Sequence, residues 1–233
     1  MKKVAVVGFG NVGQGAVEAV LESPDMELVG IVEIPDLVEK ATQLAQGIPV
    51  VSDVKSLGSV DVAVLAISSR AVPKVASRYL EMGINTVDPY DVHGASLMKL
   101  RSELDKVAKE HNAVSIISAG WDPGTDSMVR AIFEIIAPKG ITSVNFGPGM
   151  SMGHTVVVKA IEGVRDALSI TVPKSMGIHQ RHVYVELEQG YDFDRVAEAV
   201  KTDPYFIHDE THVKQVADVS MYIDMGHGVH MER

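Results

Sequence analysis

The residues of this chain best suited to chemistry stand where apolar runs end. Gly8-Phe9-Gly10-Asn11-Val12-Gly13 directly follows the run Val4–Val7 and opens a stretch with helical spacing. In that context Gly8 permits a tight turn, Gly10 lets backbone approach a pyrophosphate, and Gly13 lets the helix pack close to the strand. Asn11 and Val12 begin the helix, whose unpaired N–H groups and partial positive charge suit a phosphate. Glu33 ends the next run, twenty residues after Gly13. A carboxylate there can accept from ribose hydroxyls, or it is simply a solvated strand end. Ser68-Ser69-Arg70 follows the third run, and Arg70 can fold over an adenine or reach a phosphate. Asp91 closes Thr86-Val87-Asp88-Pro89-Tyr90-Asp91 after the fourth, and Asp122 sits in Ser118-Ala119-Gly120-Trp121-Asp122-Pro123-Gly124 after the fifth. Two carboxylates in one crevice can hold an ammonium or take a proton; otherwise each caps its own turn.

The second half offers Phe146-Gly147-Pro148-Gly149-Met150-Ser151-Met152-Gly153-His154, read as a glycine-rich loop able to approach a ligand closely. Arg181 has the planar fork that suits a carboxylate, though an exposed strand charge is the plainer reading. There are nine histidines. His179 and His182 fall on opposite faces of a strand, and no metal site is expected.

The elements that must position these groups alternate. Strands are expected at Val4–Val7, Leu28–Val32, Val60–Ile67, Ile84–Val87 and Val114–Ile117. Helices fall between them at Asn11–Leu21, Val72–Met82 and Ala95–Glu110. On the first helix, Val12, Ala16, Ala19 and Val20 can share the packing face. Continuous apolar strands separated by helices predict an α/β fold with a Rossmann-type, doubly wound parallel sheet. The ligand crevice of such a sheet lies at the carboxyl ends of its strands. Beyond residue 120 the pattern becomes α+β, with a helix at Asp126–Ile136, strands at Val144–Phe146, Ala167–Val172 and His182–Leu187, and a helix at Asp192–Val200. The expected domains are residues 1–119, binding a dinucleotide, and 120–233, binding substrate and dimerising.

Composition narrows the class. Of the 233 residues, 46% are hydrophobic and 22% charged, as in an ordinary globular chain. The absence of cysteine excludes disulfides, thiolate metal sites and cysteine nucleophiles. A formal charge of −10 makes a poor nucleic-acid binder. No apolar run approaches a membrane span or an export sequence, so a cytoplasmic protein without membrane contacts is expected.

Taken together, Val4–Gly13, Thr86–His93, Ser118–Ser127, Asn145–His154, Gly163–Leu168, Lys201–Tyr205 and Met225–Glu232 resemble the diaminopimelate dehydrogenase family, nearest its shorter branch. The resemblance implies an NADP-dependent homodimer that oxidatively deaminates the D-centre of meso-2,6-diaminopimelate to L-2-amino-6-oxopimelate and ammonia. Asp91 and Asp122 then match the carboxylates at the reacting amine. Trp121, Phe146, Met152 and Gly153 match residues of the substrate pocket. Thr171, Arg181 and His227 match those at the distal L-end. Two departures stand out. Family chains continue for several dozen residues, in a segment that returns to the nucleotide domain. And Glu33 stands where the family has basic residues for a 2′-phosphate, which argues for NAD. The alternatives are another amino-acid or semialdehyde dehydrogenase on this fold, or a catalytically inactive nucleotide sensor.

Overall fold

The computed structural model describes residues 1–175, 178–222 and 228–233. The chain divides into two compact units, Met1–Ala131 and Ile132–Arg233.

In the first unit, apolar runs too short and too β-branched for helices form six strands: β1 (Lys2–Val7), β2 (Met26–Val32), β3 (Val50–Val51), β4 (Val62–Leu65), β5 (Asn85–Val87) and β6 (Ser115–Ile116). They pair side by side in the order β3-β2-β1-β4-β5-β6, all parallel. Parallel neighbours need a crossover between them. Four helices supply crossovers: α1 (Asn11–Glu22), α2 (Pro35–Leu44), α3 (Val72–Glu81) and α4 (Ala95–Glu110). A fifth, α5 (Thr125–Ile136), runs across the division between the units. Both faces of the sheet are buried. On one, Val6 packs with Val17, Ile31 and Ala45; on the other, Val7 joins Leu65, Ala76, Tyr79, Leu80 and Leu100. Adjacent residues of β1 point opposite ways, so a strand covered on both faces reads as continuously apolar.

The expected doubly wound sheet is therefore present. The packing face of α1 matches the expected one only in part: Val20 is buried and Ala16 packs against the core. Gly13, Val17 and Val20 are buried, whereas Val12 is 44% exposed and Ala19 faces solvent. A glycine lies within the packing stripe, and a search for apolar side chains passes over it. In this unit β3 and α2 have no counterpart among the expected elements. The strand β3 is two residues long, and α2 buries only Ala41, leaving Leu37 and Leu44 exposed.

The second unit contains β7 (Ser143–Phe146), β8 (Gly149–Met150), α6 (Met152–Lys159), β9 (Val164–Ser175), β10 (Ile178–Leu187), α7 (Phe193–Thr202), β11 (Glu210–Gln215) and β12 (Val229–Glu232). Its main sheet runs β11-β10-β9-β8, with β9 and β10 antiparallel and β10 and β11 parallel; β12 and β7 form a separate antiparallel pair. Both long strands extend beyond their expected limits, because each continues into the polar, exposed ends of one hairpin. The expected loop Phe146–His154 is instead a short strand followed by the start of α6. Its glycines hid both. For α7, Asp192 accepts the Arg195 N–H at 3.0 Å, Asp194 lies in the first turn and Lys201 in the last, which matches the helix dipole at each end. Val158, Val164, Ala167, Val183, Val185, Val196, Val200 and Phe206 form the core. No described helix is long and apolar enough to cross a membrane.

Phe206 is the largest side chain of that core and only 1% exposed. Phe206→Ala should cost about 3–5 kcal/mol of stability, as is usual when a buried ring is deleted. Urea unfolding should show a lowered midpoint at unchanged slope. A loss under about 1 kcal/mol would mean that the site collapses around the missing ring.

Candidate active site

In the first unit the glycine turn between β1 and α1 has little room. Gly8 has φ +89°, and a Cβ there would lie 2.5 Å from the Ala66 carbonyl oxygen, at the end of β4. A Cβ on Gly13 would lie 2.0 Å from the Gly8 carbonyl oxygen. Any side chain at either place would push backbone aside. Gly10 differs: a Cβ there meets nothing within 4 Å. Two glycines thus close the turn and the third leaves its outer face open, as an approaching pyrophosphate requires. Asn11 and the exposed Val12 begin α1 beside that opening. Glu33 reaches back to the turn. Its Oε1 accepts the Phe9 N–H at 2.6 Å, and its Oε2 accepts the Ile34 N–H at 2.9 Å. These residues fit a dinucleotide on backbone geometry alone.

After β4, Ser68 closes a turn by accepting the N–H groups of Ala71 and Val72 at 2.8 and 3.3 Å. Ser69 is tied to the next loop: its hydroxyl donates to Asp91 Oδ1 at 2.5 Å and accepts the Asp91 N–H at 3.1 Å. Arg70 is exposed at the same turn.

The loops bearing Asp91 and Asp122 are joined through Asp88, which is 1% exposed. Its Oδ1 accepts the N–H groups of Tyr90 at 3.0 Å and Ser118 at 3.3 Å, and its carbonyl accepts the Ala119 N–H at 2.7 Å. Burial pushes the Asp88 carboxyl up from its ordinary value, against the two N–H bonds that favour the anion. Its Oδ2 and the Ser118 hydroxyl have no described partner although both are buried. Further along, a Cβ on Gly120 would touch Pro89 at 3.3 Å, and one on Gly124 would lie 2.1 Å from the Gly120 carbonyl oxygen. The Asp122–Pro123 peptide is cis. Asp126, also 1% exposed, lies in the first turn of α5 and is held by Arg130 at 2.7 Å. His93 Nε2 stands 3.6 Å from Asp122 Oδ1. Asp91, Asp122, Ser69 and His93 are thus assembled at one edge of the sheet, with Trp121 42% exposed beside them. Asp88 and His93 lie within Thr86–His93, and the sequence reading assigns neither a role. The signal was there, a carboxylate at a strand end expected to be apolar.

In the second unit, Arg181 and Thr171 face each other across the β9–β10 register, and the guanidinium Nη1 donates to the threonine hydroxyl. Nε of Arg181 bonds Asp209 Oδ2 at 2.6 Å, with side-chain exposures of 12% and 19%. Arg181 is therefore a largely buried, partnered cation and not an exposed strand charge. Asp209 immediately precedes β11, and no local pattern in the sequence marks either of them. Phe146 ends β7, and Met152 and Gly153 open α6, with open space around the Gly153 position. His154 Nε2 bonds the Tyr205 carbonyl at 3.0 Å and Nδ1 bonds Ser151 Oγ at 2.8 Å. A carbonyl only accepts, so Nε2 carries the hydrogen and Nδ1 accepts from the serine. Burial, then the charge of Arg181, pushes the His154 pKa down to about 4. His227 lies outside the described residues. His182 stacks near His212, 5.3 Å between centroids, across β10 and β11. Among the described residues, no group of three or more His, Cys, Asp or Glu could hold a metal.

Residues 2–87 match the oxidoreductase family with an NAD-binding Rossmann fold, and residues 120–231 match the diaminopimelic acid dehydrogenase C-terminal domain. A meso-diaminopimelate D-dehydrogenase of Bacteroides fragilis is 56% identical over all of this chain and 78% of its own length. Among solved structures, a Corynebacterium glutamicum DAP dehydrogenase in complex with DAP superposes with a TM-score of 0.81 at 28% identity, over 99% of this chain and 77% of that one. An engineered D-amino acid dehydrogenase bound to NADP+ gives the same score and coverage at 26% identity.

The neutral His154 makes a pH test. Its folded pKa of about 4 lies below the ordinary 6.5, so between those values the unfolded chain holds the extra proton. Stability is full above about pH 6.5 and falls by about 1.4 kcal/mol per pH unit as pH drops towards the folded pKa. Denaturant midpoints measured at about pH 7 and about pH 5 should show this loss, and His154→Gln should remove most of the difference. An equal loss in the variant would assign the pH dependence to other groups.

Proposed function

This chain belongs to the meso-diaminopimelate dehydrogenase family, and from that premise we propose that it oxidises the D-configured centre of meso-2,6-diaminopimelate to L-2-amino-6-oxopimelate and ammonia. It is a nicotinamide-dinucleotide-dependent oxidoreductase. The observation that carries the substrate reading is the pair Asp91 and Asp122, on two loops tied together through Asp88. Two carboxylates give an ammonium charge-assisted acceptors, and holding it fixes which way the adjoining Cα–H points. When bound, the dinucleotide accepts that hydride. The amine must also lose a proton to become an imine. Asp122, or water held by it, is the candidate acceptor, with His93 next in line towards solvent. Water then adds to the imine carbon and ammonia leaves. Phe146, Met152 and Gly153 are assigned to the substrate pocket by resemblance, and Thr171, Arg181 and His227 to the distal carboxylate and amine. Burial and Asp209 hold the guanidinium of Arg181 in one place, which suits it to a planar carboxylate. The resemblance also supports a homodimer working in the cytoplasm on a small amino acid.

Glu33 bears on the choice of dinucleotide. Its carboxylate stands at the glycine turn, on the Phe9 and Ile34 N–H groups. A 2′-phosphate beside it meets repulsion of about 1 kcal/mol per pair of unit charges at ~4 Å in water, and more where water is excluded. Free ribose hydroxyls meet an acceptor instead. NAD is therefore the favoured cofactor, with NADP still usable through Arg70.

Ammonia-dependent turnover tests the reaction, since only an amine dehydrogenase couples ammonia to oxidation of the reduced cofactor. The meso isomer should be oxidised far faster than the L,L isomer, which has no D-centre; equal rates would defeat the assignment. Asp122→Asn should lower kcat/KM at least about tenfold, on the order of 1.4 kcal/mol, with dinucleotide affinity nearly unchanged. For the cofactor, kcat/KM with NAD should exceed that with NADP, and Glu33→Arg should shift the ratio towards NADP. A strong native preference for NADP overturns the Glu33 reading.

A further inference from the structure

Ser69 was expected beside the dinucleotide, yet its hydroxyl is engaged elsewhere. It donates to Asp91 Oδ1 at 2.5 Å while accepting the Asp91 N–H at 3.1 Å, so side chain and backbone of one residue are held by one oxygen. A serine hydroxyl has a single hydrogen to give. Given to Asp91, it is not available to a phosphate or a carboxamide. Asp91 also needs such a partner. It is exposed, so burial does little to fix its side chain. Its loop is pinned on the other side by Asp88, which accepts the Tyr90 N–H at 3.0 Å, but that bond holds backbone and leaves the carboxylate free to turn. Ser69 itself has a firm base: the Ser68 carbonyl accepts from Ala71 and Val72 where α3 begins. Asp122 is placed differently. Its carboxylate stands 3.6 Å from the His93 ring, longer than a hydrogen bond.

We propose that Ser69 is a positioning residue for the amine reaction: its hydroxyl fixes Asp91 through Oδ1 so that Oδ2 is presented to the substrate ammonium. The inference rests on the assignment of Asp91 to the amine. It changes what the turn after β4 does. That turn abuts the glycine turn, through the approach of Ala66 to Gly8, and also sets the angle of the Asp91 carboxylate that meets the substrate ammonium. One rigid turn thereby registers the amine against the nucleotide end of the sheet.

The test separates a cofactor contact from a positioning role. Binding of NAD and of NADP alone is measured by titration in wild type, Ser69→Ala and Ser69→Thr. Steady-state oxidation of meso-diaminopimelate is measured at saturating dinucleotide. Ser69→Ala should lose at least tenfold in kcat/KM for the amine, with dinucleotide Kd changed less than twofold. Ser69→Thr, which keeps the hydroxyl, should recover most of the loss. In an Asp91→Ala background, Ser69→Ala should have no further effect, because the group it positions is gone. The proposal is overturned if Ser69→Ala weakens dinucleotide binding but leaves amine turnover at saturation intact, or if its effect adds in full to that of Asp91→Ala. Should Ser69→Ala be unstable, the Ser69→Thr and Asp91→Ala comparisons still decide the matter: a threonine variant with wild-type dinucleotide binding but amine turnover as low as that of Asp91→Ala also refutes it. If wild type does not oxidise diaminopimelate but does oxidise another D-amino acid, the substrate assignment fails, and the Ser69 comparison is made on the amine that reacts.

Discussion

Parallel pairing is the constraint on which the first unit depends. Parallel strands cannot be joined by tight turns, so each must be followed by a crossover that returns the chain to the same starting edge. Every carboxyl end then falls on the opposite edge. That is why Gly8, Glu33, Ser69, Asp91 and Asp122, spread over more than a hundred residues of sequence, collect in one place. The strands doing this are short at the far side of the sheet, three residues in β5 and two in β6. Ladder bonds alone would define their ends poorly. Asp88 supplies what they lack by accepting from both loops at once, at the cost of burying a carboxyl whose second oxygen has no described partner. The loops gain a common reference point that neither strand could give.

The second unit solves a related difficulty with charge. Arg181 is taken mostly out of water, and an unpaired guanidinium there would be costly. Asp209 and Thr171 occupy Nε and Nη1, which fixes the plane of the fork. The same cation helps keep His154 neutral, so that its ring can stand edge-on to Tyr205 and Phe206 as an aromatic member of the core while bonding at both nitrogens. A cation proposed to bind substrate and a packing residue thus share one electrostatic environment.

The class of fold was legible because buried parallel strands read as unbroken apolar runs, and because Gly8, Gly10 and Gly13 each have a geometric duty at that turn. What stayed hidden has specific causes. The two-residue β3 is shorter than any periodicity. The face of α1 passes through Gly13, which has no side chain to count. Within Phe146–His154, glycines signalled a loop where β8 and α6 lie. Asp91 and Asp122 could be picked out by their place after strands. Their supporting groups could not, since Ser69 meets Asp91 across 22 residues, and Arg181 meets Asp209 across 28. Such pairings follow from sheet order and strand register. No local spacing records them.

Glu33 belongs to two constructions at once. The carboxylate proposed to meet the ribose also receives the Phe9 N–H inside the glycine turn and the Ile34 N–H ahead of α2. A lineage exchanging one dinucleotide for the other by altering this residue would leave two backbone donors seeking acceptors in the very turn that must stay rigid. Recognition and folding are therefore not independent traits here, and a change of diet at this position is open mainly to chains that first acquire another acceptor. The route between the two cofactors has an order to it, and the fold sets that order.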